Sequence, residues 1–91
     1  MQNIFAAGNK GLKVRSDCSV TLELKDSGGI IIEVISKVNA LYGKRIKELA
    51  GDILNYFGVK NCCLKIEDFG ALDFVLAARI ESVVNQAIKS Q

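Results

Sequence analysis

From Leu12 to Lys25 the chain alternates without a break. Leu12, Val14, Ser16, Cys18, Val20, Leu22 and Leu24 fall on one face, and Lys13, Arg15, Asp17, Ser19, Thr21, Glu23 and Lys25 on the other. A period of two with one apolar side predicts a half-buried antiparallel strand, with Ser16 among its inward residues. Asp26-Ser27-Gly28-Gly29 then supplies residues that tolerate positive φ, and the β-branched run Ile30 to Ile35 follows. These two runs predict a hairpin.

The period changes after Ser36, whose hydroxyl is placed to cap a helix. Val38, Leu41, Ile46, Leu49, Ile53 and Phe57 form one stripe, with Ala50 and Leu54 widening it and Gly58 as the stop. Gly43 and Gly51 lie inside this segment and each costs about 1 kcal/mol relative to Ala, so a bend or break is expected near Gly43. Val59 to Asp68 reads as a third strand that ends in the turn Asp68-Phe69-Gly70. Leu72, Val75, Leu76, Ile80, Val83, Val84 and Ile88 recur at helical intervals and predict a final amphipathic helix over Ala71 to Ile88. The order β-β-α-β-α predicts an α+β fold: a three-stranded, mainly antiparallel sheet with two helices packed on one face. Residues 1–11 show no comparable pattern and are expected to be a loosely ordered N-terminal segment of a single domain.

Composition narrows the function. A chain of 91 residues, 49% apolar, buries somewhat over 60% of its unfolded surface, enough for one core. The net charge of +2 comes from basic residues spread along the chain. The outer face of the first strand mixes both signs and offers no aromatic platform, which disfavours nucleic acid. No apolar run approaches 18 residues, and MQNIFAAGNK places its Lys after the short apolar stretch, the reverse of a signal peptide. A cytoplasmic protein with no membrane segment is expected. Cys18, Cys62 and Cys63 lack CxxC spacing and the chain has no histidine, so buried free thiols are expected in place of a zinc site. The missing histidine also removes the commonest general base, which disfavours a free-standing enzyme.

Several local features have bland explanations. Gly8-Asn9-Lys10-Gly11 lacks the strand and helix that would flank a phosphate loop, and Gly28-Gly29 is better read as a turn. Glu67, Asp68 and Asp73 bring three carboxylates near one turn, readable as a metal or acid-base site. The plainer reading is that Asp68 or Asp73 serves amide donors at the start of the last helix. Arg79 is too far along the helix from Asp73 to pair with it and reads as a solvated cation.

The stretch Asp68-Phe69-Gly70-Ala71-Leu72-Asp73, followed by an apolar run and then Ala78-Arg79-Ile80-Glu81, resembles the C-terminal signature of the acyl carrier protein (gamma subunit) of citrate lyase, D-x-G-A-L-D with A-R before an apolar residue and E. Ser36-Lys37-Val38, Tyr42-Gly43 with Ile46, and Phe57-Gly58-Val59 also fall where that family has comparable residues, so the resemblance runs from about Gly11 to Glu81. It implies a carrier without an active site of its own, bearing a serine-linked phosphoribosyl-dephospho-CoA arm that carries acetyl and citryl thioesters. Its implied partners are an alpha acyl transferase subunit, a beta lyase subunit and a prosthetic-group transferase. Asp68, Gly70, Asp73 and Arg79 become a docking or structural signature.

The family carries Ser-Ser-Asp or Ser-Gly-Asp near its first strand, the first serine being modified. Aligned on Asp17, this chain has Arg15 at that position and Ser16 one place later. Three readings remain: Ser16 is the attachment point if the strand becomes regular only at Asp17; Ser19, facing outward, is used; or the chain is a relative without the arm, an α+β binding or assembly module. Carriers of citramalate lyase and malonate decarboxylase would share the same arm.

Overall fold

The computed structural model describes residues 3–11, 13–36 and 40–90. In chain order the elements are β1 (Ile4–Gly8), β2 (Asp17–Leu24), β3 (Ile30–Ser36), α1 (Ala40–Tyr56), β4 (Cys62–Phe69) and α2 (Asp73–Lys89). The α+β class is as expected, but the sheet has four strands in the order β1-β2-β4-β3 and is mixed. β1 and β4 each run antiparallel to β2, while β3 and β4 are parallel.

The hairpin expected between β2 and β3 does not form, because β4 lies between them. Alternation tells a strand which face to bury and says nothing about its neighbour. The residues from Lys25 to Gly29 must step across two strand spacings, about 10 Å, and not one. They are held in that wider path from β4: the Gly29 amide donates to Asn61 Oδ1 at 2.9 Å, and the Cys62 amide donates to the Gly29 carbonyl at 3.0 Å. β3 feeds α1, and a strand that returns after a helix pairs in parallel.

The second correction concerns the segment 1–11. Ile4–Gly8 is not loose but pairs along β2 from Glu23 to Ser19, with Phe5 buried opposite Leu22. Gly8 ends the strand at φ +93, where a Cβ would run into the Cys18 carbonyl.

Among the described residues, the sixteen buried apolar ones form one cluster. Cys18, Val20 and Leu22 of β2 and Cys62, Leu64 and Ile66 of β4 face Ile46, Ala50 and Leu54 of α1 and Leu76, Ile80, Val83, Val84 and Ala87 of α2. The other sheet face carries Ser19, Thr21, Glu23, Lys65, Glu67 and Glu33. α1 runs unbroken through Gly43 and Gly51, contrary to the expected break. Both glycines lie toward β3: a Cβ would come 3.9 Å from Val34 at the first and 4.0 Å from Ile32 at the second. Packing of this face offsets their poor propensity. Gly58 stops the helix as expected, at φ +75, and the Val59 amide donates back to the Leu54 carbonyl at 3.0 Å. The cap expected from Ser36 falls on amides of residues 37–39, outside the described residues. Among the described residues no helix is long and apolar enough to cross a membrane.

Candidate functional site

Ser16 is not a rung of the strand. β2 begins at Asp17, and Ser16 stands before it in a bend, exposed, at φ +56. Among the described residues no other non-glycine has positive φ. The left-handed region costs an L-residue about 1 kcal/mol, so the surroundings must hold it there. Its amide donates to the Phe69 carbonyl at 2.9 Å, and Asp17 forms a bridge to Gly70. Its hydroxyl has no hydrogen-bond partner among the described residues and is open to solvent. The alternation fails here because Gly70, at φ +88, turns the chain away at the end of β4. Beyond Asp17 the regular ladder has no partner to continue on.

Asp17 is the most heavily bonded side chain nearby. Its Oδ1 accepts from its neighbour Cys18's amide at 2.7 Å and from Arg79 Nε at 3.2 Å. Its Oδ2 accepts from Arg79 Nη2 at 2.9 Å and from Asn9 Nδ2 at 2.9 Å. The Arg79 hydrogen bonds, then that of Asn9, pull its carboxyl down to about 2 against the opposing effect of burial. Arg79 is therefore not the solvated cation that spacing suggested. It is the cross-chain partner of a carboxylate 62 positions away, a relation no local pattern carries.

The other signature residues make contacts within the chain. Asp68 is buried; Oδ1 accepts from the amides of Gly70 at 3.1 Å and Ala71 at 2.9 Å, and Oδ2 accepts from the Ser36 hydroxyl at 3.0 Å. It stitches the end of β4 to β3 and shapes the turn into α2, whose N-cap, Leu72, has no side-chain cap bond. The amides it serves precede the helix. Asp73 pairs with Arg45 of α1, and Glu67 lies on the open sheet face near Lys65 at 3.9 Å. The three carboxylates thus go to three places, and among the described residues no cluster fit for a metal forms.

Ser19 sits mid-strand on the open face, half-buried, between Gly8 of β1 and Glu67 of β4. All three cysteines are free, Cys18 and Cys62 buried and Cys63 partly so. Burial first, then the Asp17 and Asp68 carboxylates, push the Cys18 thiol up to about 12, so it is no nucleophile at neutral pH. A small cavity of about 90 Å³ lies between Tyr42 and the Asp68 to Leu72 turn, and a cleft of about 320 Å³ lies beside Leu24, Phe57 and Ile88, at the far end of β2. The site is therefore an exposed serine on a bend braced by Phe69, Gly70 and the Asp17–Arg79 pair.

Residues 9–87 match the family model described as malonate decarboxylase delta subunit (MdcD), an acyl carrier family. The chain is similar to the citrate lyase acyl carrier protein of Fusobacterium nucleatum, 35% identical over 83 residues that cover 91% of this chain and 88% of that one. It is 38% identical to that of Weissella paramesenteroides over 80% of this chain and 74% of the relative. For that of Halothermothrix orenii the identity is 32% over 94% and 90%. The chain belongs to the citrate lyase acyl carrier protein family. No solved structure matches it significantly.

Proposed function

We propose that this chain is the acyl carrier subunit of a citrate lyase, with Ser16 as the attachment point for a phosphoribosyl-dephospho-CoA arm. The observation that carries the assignment is the placement of Ser16, exposed at φ +56 in a bend fastened to Phe69, with a hydroxyl that has no partner among the described residues. That environment fits a covalent phosphodiester: nothing has to be displaced, and Arg15, adjacent in the chain, and Lys13, three residues before, are exposed cations. The adjacent Asp17 carboxylate is already balanced by Arg79. Ser19 fits less well, since Glu67 faces it across the ladder and would repel a second anion.

When attached, the arm supplies the thiol that carries the acyl group. The chain's own part is to hold the anchor outside the sheet, so that one tether serves an acyl transferase subunit and a lyase subunit in turn at high effective concentration. Those subunits and a prosthetic-group transferase are its proposed partners, in the cytoplasm, and no catalytic step is assigned to the chain itself. The malonate decarboxylase description of the matching family model keeps a second carrier assignment, with the same anchor, in view.

Co-expression with a citrate lyase gene set and its prosthetic-group transferase, followed by intact-mass measurement, tests the proposal. The arm's mass should appear on the wild type and on Ser19→Ala and be absent from Ser16→Ala. Loading of Ser16→Ala would move the anchor. An unmodified wild type, beside a loaded relative from Fusobacterium nucleatum, would leave an assembly module without the arm; loading only by a malonate decarboxylase set would reassign the partner enzyme.

A further inference from the structure

The carrier reading uses Arg79 only to balance the charge of Asp17. Yet Arg79 spans from α2 to the first residue of β2 and grips the Asp17 carboxylate through two nitrogens, Nε and Nη2, one to each oxygen. A planar guanidinium that meets both oxygens fixes direction as well as distance, which a lysine ammonium does not. Asp17 is the residue immediately after Ser16. On its backbone side Asp17 is bridged to Gly70, and the Ser16 amide is bonded to Phe69. A serine stays left-handed only where its neighbours over-determine it. Here the neighbour is fastened at both backbone and side chain.

We propose that Arg79 is a positioning residue for modification: by clamping Asp17 it holds Ser16 in the bend that presents its hydroxyl to the transferase, and it cancels the one carboxylate adjoining the anchor. The proposal rests on the carrier reading. In the step concerned, Ser16 Oγ forms a bond to a phosphorus of a phosphoric anhydride donor, the anhydride P–O bond breaks, and a phosphate or pyrophosphate leaves. The hydroxyl proton passes to a base on the transferase. Arg79 touches none of these atoms; it sets where Oγ is when the donor arrives, and lowers the repulsion an anionic donor would meet from Asp17.

The test follows the initial rate of mass increase for the purified full-length chain with transferase and its nucleotide donor, over a range of carrier concentrations. Arg79→Gln is expected to lower kcat for loading about tenfold with KM changed less than twofold, and Arg79→Lys, which keeps the charge but loses the fork, to recover part of the loss. Hydrogen exchange at the Ser16 amide should speed up in Arg79→Gln. Arg45→Gln, which breaks the ion pair that joins α1 to Asp73 of α2, is the control and should load at the wild-type rate. Wild-type kcat for Arg79→Gln, a change confined to KM, or an equal loss in Arg45→Gln would overturn the inference and leave the carrier reading intact. A wild type that is not loaded, beside a loaded relative, removes both.

Discussion

Asp17 shows how one residue acquires a pH signature from its surroundings. Its carboxyl titrates near 2 in the folded chain because Arg79 and Asn9 bond its charged form, against an ordinary value near 4 in the unfolded chain. A depressed carboxyl stabilises the fold above the unfolded value, and that contribution is lost as pH falls through the folded one. The full shift would amount to more than 2 kcal/mol, but the Arg79 side chain is 37% exposed, and solvent screening reduces the net effect to about 1 kcal/mol. Asp17→Asn is therefore expected to unfold about 1 kcal/mol more readily than the wild type in urea at pH 7. The gap should narrow between pH 4 and pH 2 and close below about pH 2. A gap that persists in acid would mean the side chain stabilises by packing and not by charge.

At the scale of elements, glycine has opposite meanings in a helix and at the end of a strand. Gly43 and Gly51 have ordinary helical backbone, and a Cβ at either would make normal van der Waals contact with β3. Gly51→Ala and Gly43→Ala should each stabilise by about 1 kcal/mol through helix propensity, raising Tm by about 4 °C or more. Gly8 ends β1 at φ +93 with the Cys18 carbonyl where a side chain would go, so Gly8→Ala should lower stability by about 2 kcal/mol. Thermal melts of the three variants followed by circular dichroism give the signs directly. A loss of Tm in Gly51→Ala would show that α1 and β3 need the closer approach.

At the scale of the molecule, the sheet order makes β4 the strand on which the rest depends. It pairs with β2 on one side and β3 on the other, its inner residues meet the core, and its last residues hold the Ser16 bend. Ile66→Ala should cost about 2 to 5 kcal/mol, the range for truncating a fully buried aliphatic side chain. Ile31→Ala, on the edge strand β3 and 58% exposed, should change stability by less than about 0.5 kcal/mol. Denaturant midpoints of the pair measure this contrast. Equal costs would imply that the edge strand is covered in solution.

Much of this protein was legible along the chain because it depends on local period. The inward rungs Cys18, Val20 and Leu22, the stripe Leu76, Ile80, Val83 and Val84, and the stop at Gly58 all appear where alternation and helical spacing put them. The signature around Asp68 to Glu81 also identified the family, since it is a string of residue types. What local period could not carry was adjacency. The insertion of β4 between β2 and β3, the recruitment of Ile4–Gly8 as an edge strand, and the union of Asp17 with Arg79 join residues tens of positions apart, and a periodic pattern specifies a face without specifying a partner. Ser16 shows the division most clearly. Read along the chain it was an inward rung; the turn at Gly70, the Phe69 carbonyl and the clamp on its neighbour make it an exposed left-handed serine, because where a strand begins depends on where its partner ends.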